Sequence, residues 1–136
     1  IGSDGRMLIQ QRQPFKHGFS NLWDVSAGGS AVAGETSAAA AMREVREEIG
    51  VTLDLNGVRP HYSVTYGEGF DDWYVVKADP DIESLELQYE EVQAVGWASE
   101  EEVLAMIDSG VFIPYFKGYI STIFNTADQY GSIRGK

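Results

Sequence analysis

Between Gly28 and Val51 the chain runs from paired glycines into a segment that tolerates few alternative structures. Gly34-Glu35-Thr36-Ser37 opens a helix expected to reach about Glu48, and Gly50 stands where a left-handed C′ residue ends it. Glu44, Glu47 and Glu48 fall at i, i+3 and i+4, so their carboxylates share one face. Ala38, Ala41, Met42, Val45 and Ile49 make an apolar stripe roughly 120° away from that face. Like charges at these spacings destabilise a bare helix by a few tenths of a kcal/mol per pair. A hard divalent cation reverses that sign, because it favours carboxylate oxygens and keeps positions for water and phosphate. The plainer reading of three glutamates is a solvated acidic face.

Spacing decides between them. Gly29, Glu35, Arg43-Glu44-Val45, Glu47-Glu48 and Gly50-Val51 fit the pattern Gx5Ex7REUxEExGU, with U aliphatic. Seven fixed letters at roughly 7% frequency each give a chance match below about one in a million. The chain resembles the Nudix hydrolase superfamily, with looser likeness from Gln10-Gln11-Arg12 to about Phe116. The resemblance implies an α/β/α sandwich: a mixed β-sheet, the box helix and C-terminal helices. It implies Mg²⁺- or Mn²⁺-dependent hydrolysis of a nucleoside diphosphate linked to another moiety, by water attack on phosphorus. Carried over by position, Glu44, Glu47 and Glu48 hold the metal, with the carbonyl of Gly28 as a further ligand. Arg43 orients the glutamates, and Glu35 is structural or a distant member of the network. The general base is a box glutamate, Glu44 or Glu47, or else an acid outside the box. Glu91, in the Glu90-Glu91 pair, is the outside candidate. Arg12 and Lys16 are candidate phosphate partners, and Tyr115 is a candidate substrate contact among several aromatics able to stack a base.

Arg12-Gln13-Pro14-Phe15-Lys16 and Asn21-Leu22-Trp23-Asp24 look like the isopentenyl-diphosphate isomerase branch. That enzyme's Cys-Gly-His run is replaced here by Ala27-Gly28-Gly29, which neither moves a proton nor offers a side-chain ligand. The likeness is to an isomerase-like hydrolase. An isomerase-like enzyme and a non-catalytic nucleotide-sensing domain are the alternatives.

The formal charge of −11 and pI near 4.4 argue against duplex nucleic acid, since ten cations neutralise few phosphates. An acidic chain that handles phosphates needs bound cations to do it. No run approaches the ~20 apolar residues of a membrane span. Without cysteine there is no disulfide scaffold or thiolate chemistry, and a reducing cytoplasm is the expected location. The expected partner is a small nucleotide-type substrate, with a homodimer left open.

Residues 1–136 read as one domain. Strands are expected at Met7–Gln11, Trp23–Ala27, Val51–Leu55, Val58–Tyr66, Trp73–Lys77 and Val92–Ala98, with Asn56-Gly57 as a hairpin turn. Ser99 to Glu102 is a capping box for a helix to about Ser109. A last helix is expected from Pro114 or Tyr115 to Asn125, and 129–136 reads as a tail. Ile1-Gly2 reads as the end of a strand whose loss would leave Met7–Gln11 an exposed edge, so an upstream strand or a covering segment is expected.

Overall fold

The computed structural model describes residues 1–135. Strand β1 (Met7–Arg12) is the spine of the fold, flanked antiparallel by β2 (Trp23–Asp24) and β5 (Val92–Ala98) in the order β2-β1-β5. Its alternation sorts the molecule into layers, because successive strand residues face opposite sides. Met7 and Ile9 join Ala98, Val103, Phe112, Ile113, Ile120 and Ile123 in one core cluster. Leu8 points the other way and packs with Val45, Ile49 and Val92. The first cluster is closed by α2 (Glu100–Asp108) and α3 (Lys117–Asn125), the second by α1 (Ser37–Ile49). The result is an α/β/α arrangement. The three ladders, β1–β2, β1–β5 and that of β3 (Tyr62–Tyr66) with β4 (Gly69–Trp73), are antiparallel, and one parallel bridge, Trp23 to Phe112, adds the mixed character.

The helices follow their capping signals. The Thr36 hydroxyl accepts the Ala39 N–H at 3.1 Å, and Gly50, at φ 75°, donates its N–H to Arg46 O at 3.0 Å. The Ser99 Oγ accepts the Glu102 N–H, and the Glu102 carboxylate accepts the Ser99 N–H, both at 3.1 Å. In α3 the helix begins at Lys117, since Phe116 is still extended.

Several strand expectations are corrected. Val51–Leu55 forms no ladder; its apolar residues pack beside α1, and the Leu55 N–H points to Met42 Sδ at 3.3 Å. Asn56-Gly57 is a turn, closed by Val58 N–H to Leu55 O, but no hairpin surrounds it. The hairpin lies further on, between β3 (Tyr62–Tyr66) and β4 (Gly69–Trp73), around Gly67-Glu68. Trp73 therefore ends a strand instead of beginning one, and β2 stops at Asp24. The segment after β4 runs beside the chain start: the Ile1 amino group donates to Val76 O at 2.8 Å, and the Ala78 N–H to Ile1 O at 3.0 Å. With β5 along one side and β2 plus the Ser26 hydroxyl (to Leu8 O) on the other, β1 is central, and β5 and β2 are the segments that cover Met7–Gln11. The expected tail folds back, and Tyr130 stacks on His61 with centroids 4.1 Å apart. Lys136 lies outside the described residues.

Candidate active site

The face of β1 that carries Leu8 also carries Gln10, one pleat further toward the strand end. Gln10 is buried, and its Nε2 donates to Glu48 Oε1 at 2.8 Å and to Ser26 O at 2.7 Å. Glu48 is thus not on a solvated helix face. It is 5% exposed and lies with Val45 and Ile49 on the side of α1 that meets the sheet. Burial pushes its carboxyl well above the usual range, and contact with the Glu44 carboxyl pushes it further. The Gln10 amide and the Gly28 N–H oppose this without cancelling it. Removing Gln10 leaves a buried carboxyl short of a donor, so Gln10→Leu is expected to destabilise the protein by about 1–3 kcal/mol in urea unfolding. An unchanged midpoint would mean that this bond is not holding Glu48.

Gly29 gives the second carboxyl its room, because a Cβ built there would overlap the carboxyl group of Glu44. Arg43 sets the direction of the others. Its Nε and Nη2 fork onto Glu35 at 2.7 and 3.1 Å. Nη1 reaches Glu44 at 3.1 Å and Glu47 at 3.2 Å, and Nη2 also donates to Ser30 O at 3.2 Å. The guanidinium thereby depresses the Glu35 carboxyl, which also accepts the Val32 N–H.

From the opposite wall come β1's last residue and the loop after it. The Arg12 Nη2 donates to Gly18 O at 3.3 Å, while its Nε is buried without a hydrogen-bond partner among the described residues. Lys16 is ion-paired to Glu91. Arg12, Lys16, Gly28, Gly29, Glu44, Glu47, Glu48, Gln88 and Glu91 together line a cavity of about 400 Å³. Sequence-predicted residues from three separate segments therefore meet in one place, where four carboxylates face two cations. Among the described residues, no three carboxylates or imidazoles already enclose an ion-sized position: Glu44 and Glu48 touch, but Glu47 is turned to Arg43.

Tyr115 is not brought there. Its hydroxyl donates to Asp24 Oδ1 at 2.6 Å, and its ring packs edge-on to Trp73. Burial and the adjacent carboxylate raise the phenol, while burial raises Asp24 against the pull of that hydrogen bond. Tyr115 lines a larger cavity, about 760 Å³, together with Tyr66, Phe70 and Trp73, which shares Gly28, Gly29 and Glu44 with the charged one. Sequence reasoning gave no role to Gln10, Gln13 or Gln88. A polar residue on the inward-facing row of β1 was the available signal for Gln10.

Comparison with known proteins bears on the family and the fold. The NUDIX domain model matches residues 1–116. Over 121 residues the chain is 47% identical to an uncharacterized Nudix hydrolase of Listeria monocytogenes, an alignment spanning 89% of this chain and 70% of that protein. It is 32% identical over 124 residues to the CTP pyrophosphohydrolase of Escherichia coli, covering 89% and 87% of the two chains. A crystal structure from Deinococcus radiodurans superimposes with a TM-score of 0.69 at 28% identity, covering 94% of this chain and 78% of that one. The chain belongs to the Nudix family. It is a hydrolase of phosphoanhydride bonds, in a family that acts on small nucleotide-type molecules and generally uses divalent cations. Among the described residues no helix is long and apolar enough to cross a membrane.

Proposed function

We propose that this protein is a divalent-metal-dependent hydrolase that cleaves the diphosphate linkage of a nucleoside diphosphate derivative in the 400 Å³ cavity, by attack of water on phosphorus. The observation that carries the reading is the meeting of Glu44, Glu47, Glu48 and Glu91 with Arg12 and Lys16 around that one space. The donors fit Mg²⁺ or Mn²⁺: all are oxygens, and two of them are pressed together in a buried place where a cation would relieve their repulsion. Glu48 and Glu44 would hold the ion, with Glu47 joining by turning from Arg43 and the Gly28 carbonyl completing the set. When bound, the ion supplies charge neutralisation and a water of lowered pKa.

The remaining work falls to the chain. Gln10 and the Gly28 N–H fix the Glu48 carboxylate, and Arg43 fixes Glu44. Arg12 and Lys16 take phosphate oxygens, and the unanswered Arg12 Nε–H supports an anion in this position. Glu91 takes the proton from the attacking water, its charge held toward the cavity by Lys16. The E. coli relative, named as a CTP pyrophosphohydrolase, supports a nucleotide as substrate. Purified protein should be inert in excess chelator and should release phosphate-containing product from at least one member of a nucleotide panel when Mg²⁺ or Mn²⁺ is restored. Full turnover in chelator would exclude the mechanism, and silence across the panel with metal present would favour a binding-only role.

A further inference from the structure

Two large aromatic side chains beside the charged cavity have no part in the core. Phe15 is 57% exposed and Tyr89 71% exposed, yet their rings meet, with centroids 5.6 Å apart and planes tilted by 39°. Each adjoins a residue of the cavity wall: Phe15 precedes Lys16, and Tyr89 follows Gln88. The two segments that carry them are clamped together. Buried Gln13 donates its N–H to Glu91 O at 3.2 Å and its Nε2 to Tyr89 O at 2.8 Å. The Lys16 N–H returns to Gln13 O at 3.2 Å, and the Lys16 side chain pairs with Glu91. The rings therefore stand on a fixed base next to the cavity wall, outside its lining, and are already desolvated on the sides where they touch.

We propose that Phe15 and Tyr89 form the subsite for the planar base of the nucleotide whose diphosphate lies in the charged cavity. The position of the diphosphate rests on the hydrolase reading above. A ligand that spans both features must be anionic at one end and flat and polarisable at the other, which describes a nucleotide and not a simple alkyl diphosphate. Stacking on ring faces is tolerant of base identity, so this subsite selects for the presence of a base more than for which base. Another exposed aromatic pair, Phe116 just before α3 and Tyr119 within it, with centroids 6.1 Å apart, adjoins no residue of the charged cavity and serves as the control.

The test is calorimetric binding of methylene-bridged analogues of ADP and CDP, compared with methylenediphosphonate, which has the same charged end and no base. The parent should bind the nucleotide analogues at least about tenfold tighter than methylenediphosphonate, as base–aromatic stacking predicts. In Phe15→Leu/Tyr89→Leu that ratio should fall to about one through loss of nucleotide affinity, and Tyr89→Phe should retain it because the ring face survives. Phe116→Leu/Tyr119→Leu should behave as the parent. If the double variant loses its circular dichroism, Tyr89→Leu alone, on the more exposed ring, should lower the ratio at least threefold. A preference that survives loss of the rings, or a parent with no preference, overturns the subsite. Because binding is read without turnover, a protein that keeps the ring-dependent preference but hydrolyses nothing overturns the hydrolase reading and supports the subsite.

Discussion

Glu48→Gln is expected to lower kcat by at least about a hundredfold while leaving the protein as stable as the parent in chelator, or more stable. The two halves of this outcome come from the same burial. Glu48 is nearly enclosed, and enclosure together with the Glu44 carboxyl holds its own carboxyl above the ordinary value of 4.5. A raised acid means that the folded state holds a proton the unfolded chain has released. Between pH 4.5 and the raised value, the metal-free parent therefore loses stability as pH rises. The amide removes that loss, so the variant's stability should be flatter across the same range. Its Oε1 still accepts from Gln10, and its NH₂ donates to Glu44 where two carboxyls met before. What disappears is the charge proposed to hold a cation. Glu47→Gln should also lose turnover, but without the stability gain, since Glu47 is exposed and paired to Arg43. Near-normal kcat for Glu48→Gln at saturating Mg²⁺ would remove Glu48 from the reaction; a large loss of stability would make its role structural.

How much of this was legible beforehand depends on the range of the interaction that fixes each element. The helices were readable because their signals are local: Thr36 and Gly50 bracket α1, and Ser99 with Glu102 opens α2, each through partners within four residues. β1 and β5 were readable as apolar runs. The β3–β4 hairpin was misplaced because it is largely exposed and carries no buried alternation; its turn signal, Gly67-Glu68-Gly69, was overshadowed by the stronger Asn56-Gly57. Val51–Leu55 has strand-like residues, but packing beside α1 occupies them. In the site, the glutamate spacing was visible because it lies within one helix. The burial of Glu48 was not visible, because its partner Gln10 is 38 residues away on the sheet. Gln13, which ties the Lys16 loop to the Glu91 turn across more than 75 residues, was hidden for the same reason. Tyr115 shows the converse: an aromatic suited to stacking is held inside the fold by Asp24.

Arg43→Lys should raise the Mg²⁺ concentration needed for half-maximal activity by about 10–100-fold, with a smaller change in kcat once metal is saturating. The reason is geometric. Arg43 serves five acceptors with one rigid plane: both Glu35 oxygens, Glu44, Glu47 and Ser30 O. Lysine keeps the positive charge but offers a single ammonium at the end of a flexible stem, and it cannot fork onto Glu35 while reaching the next turn. Glu35 lies in the loop before α1, so losing the fork also loosens the Ser30 to Glu35 segment that follows Gly28 and Gly29. The charge of the site is unchanged, so a weaker response to metal can only come from lost orientation. Circular dichroism should stay as in the parent, because Arg43 is partly exposed and α1 is held by Val45, Ile49 and its caps. A metal titration that superimposes on the parent's would show that the carboxylates orient themselves, and Arg43 would then be only a surface ion pair of small worth.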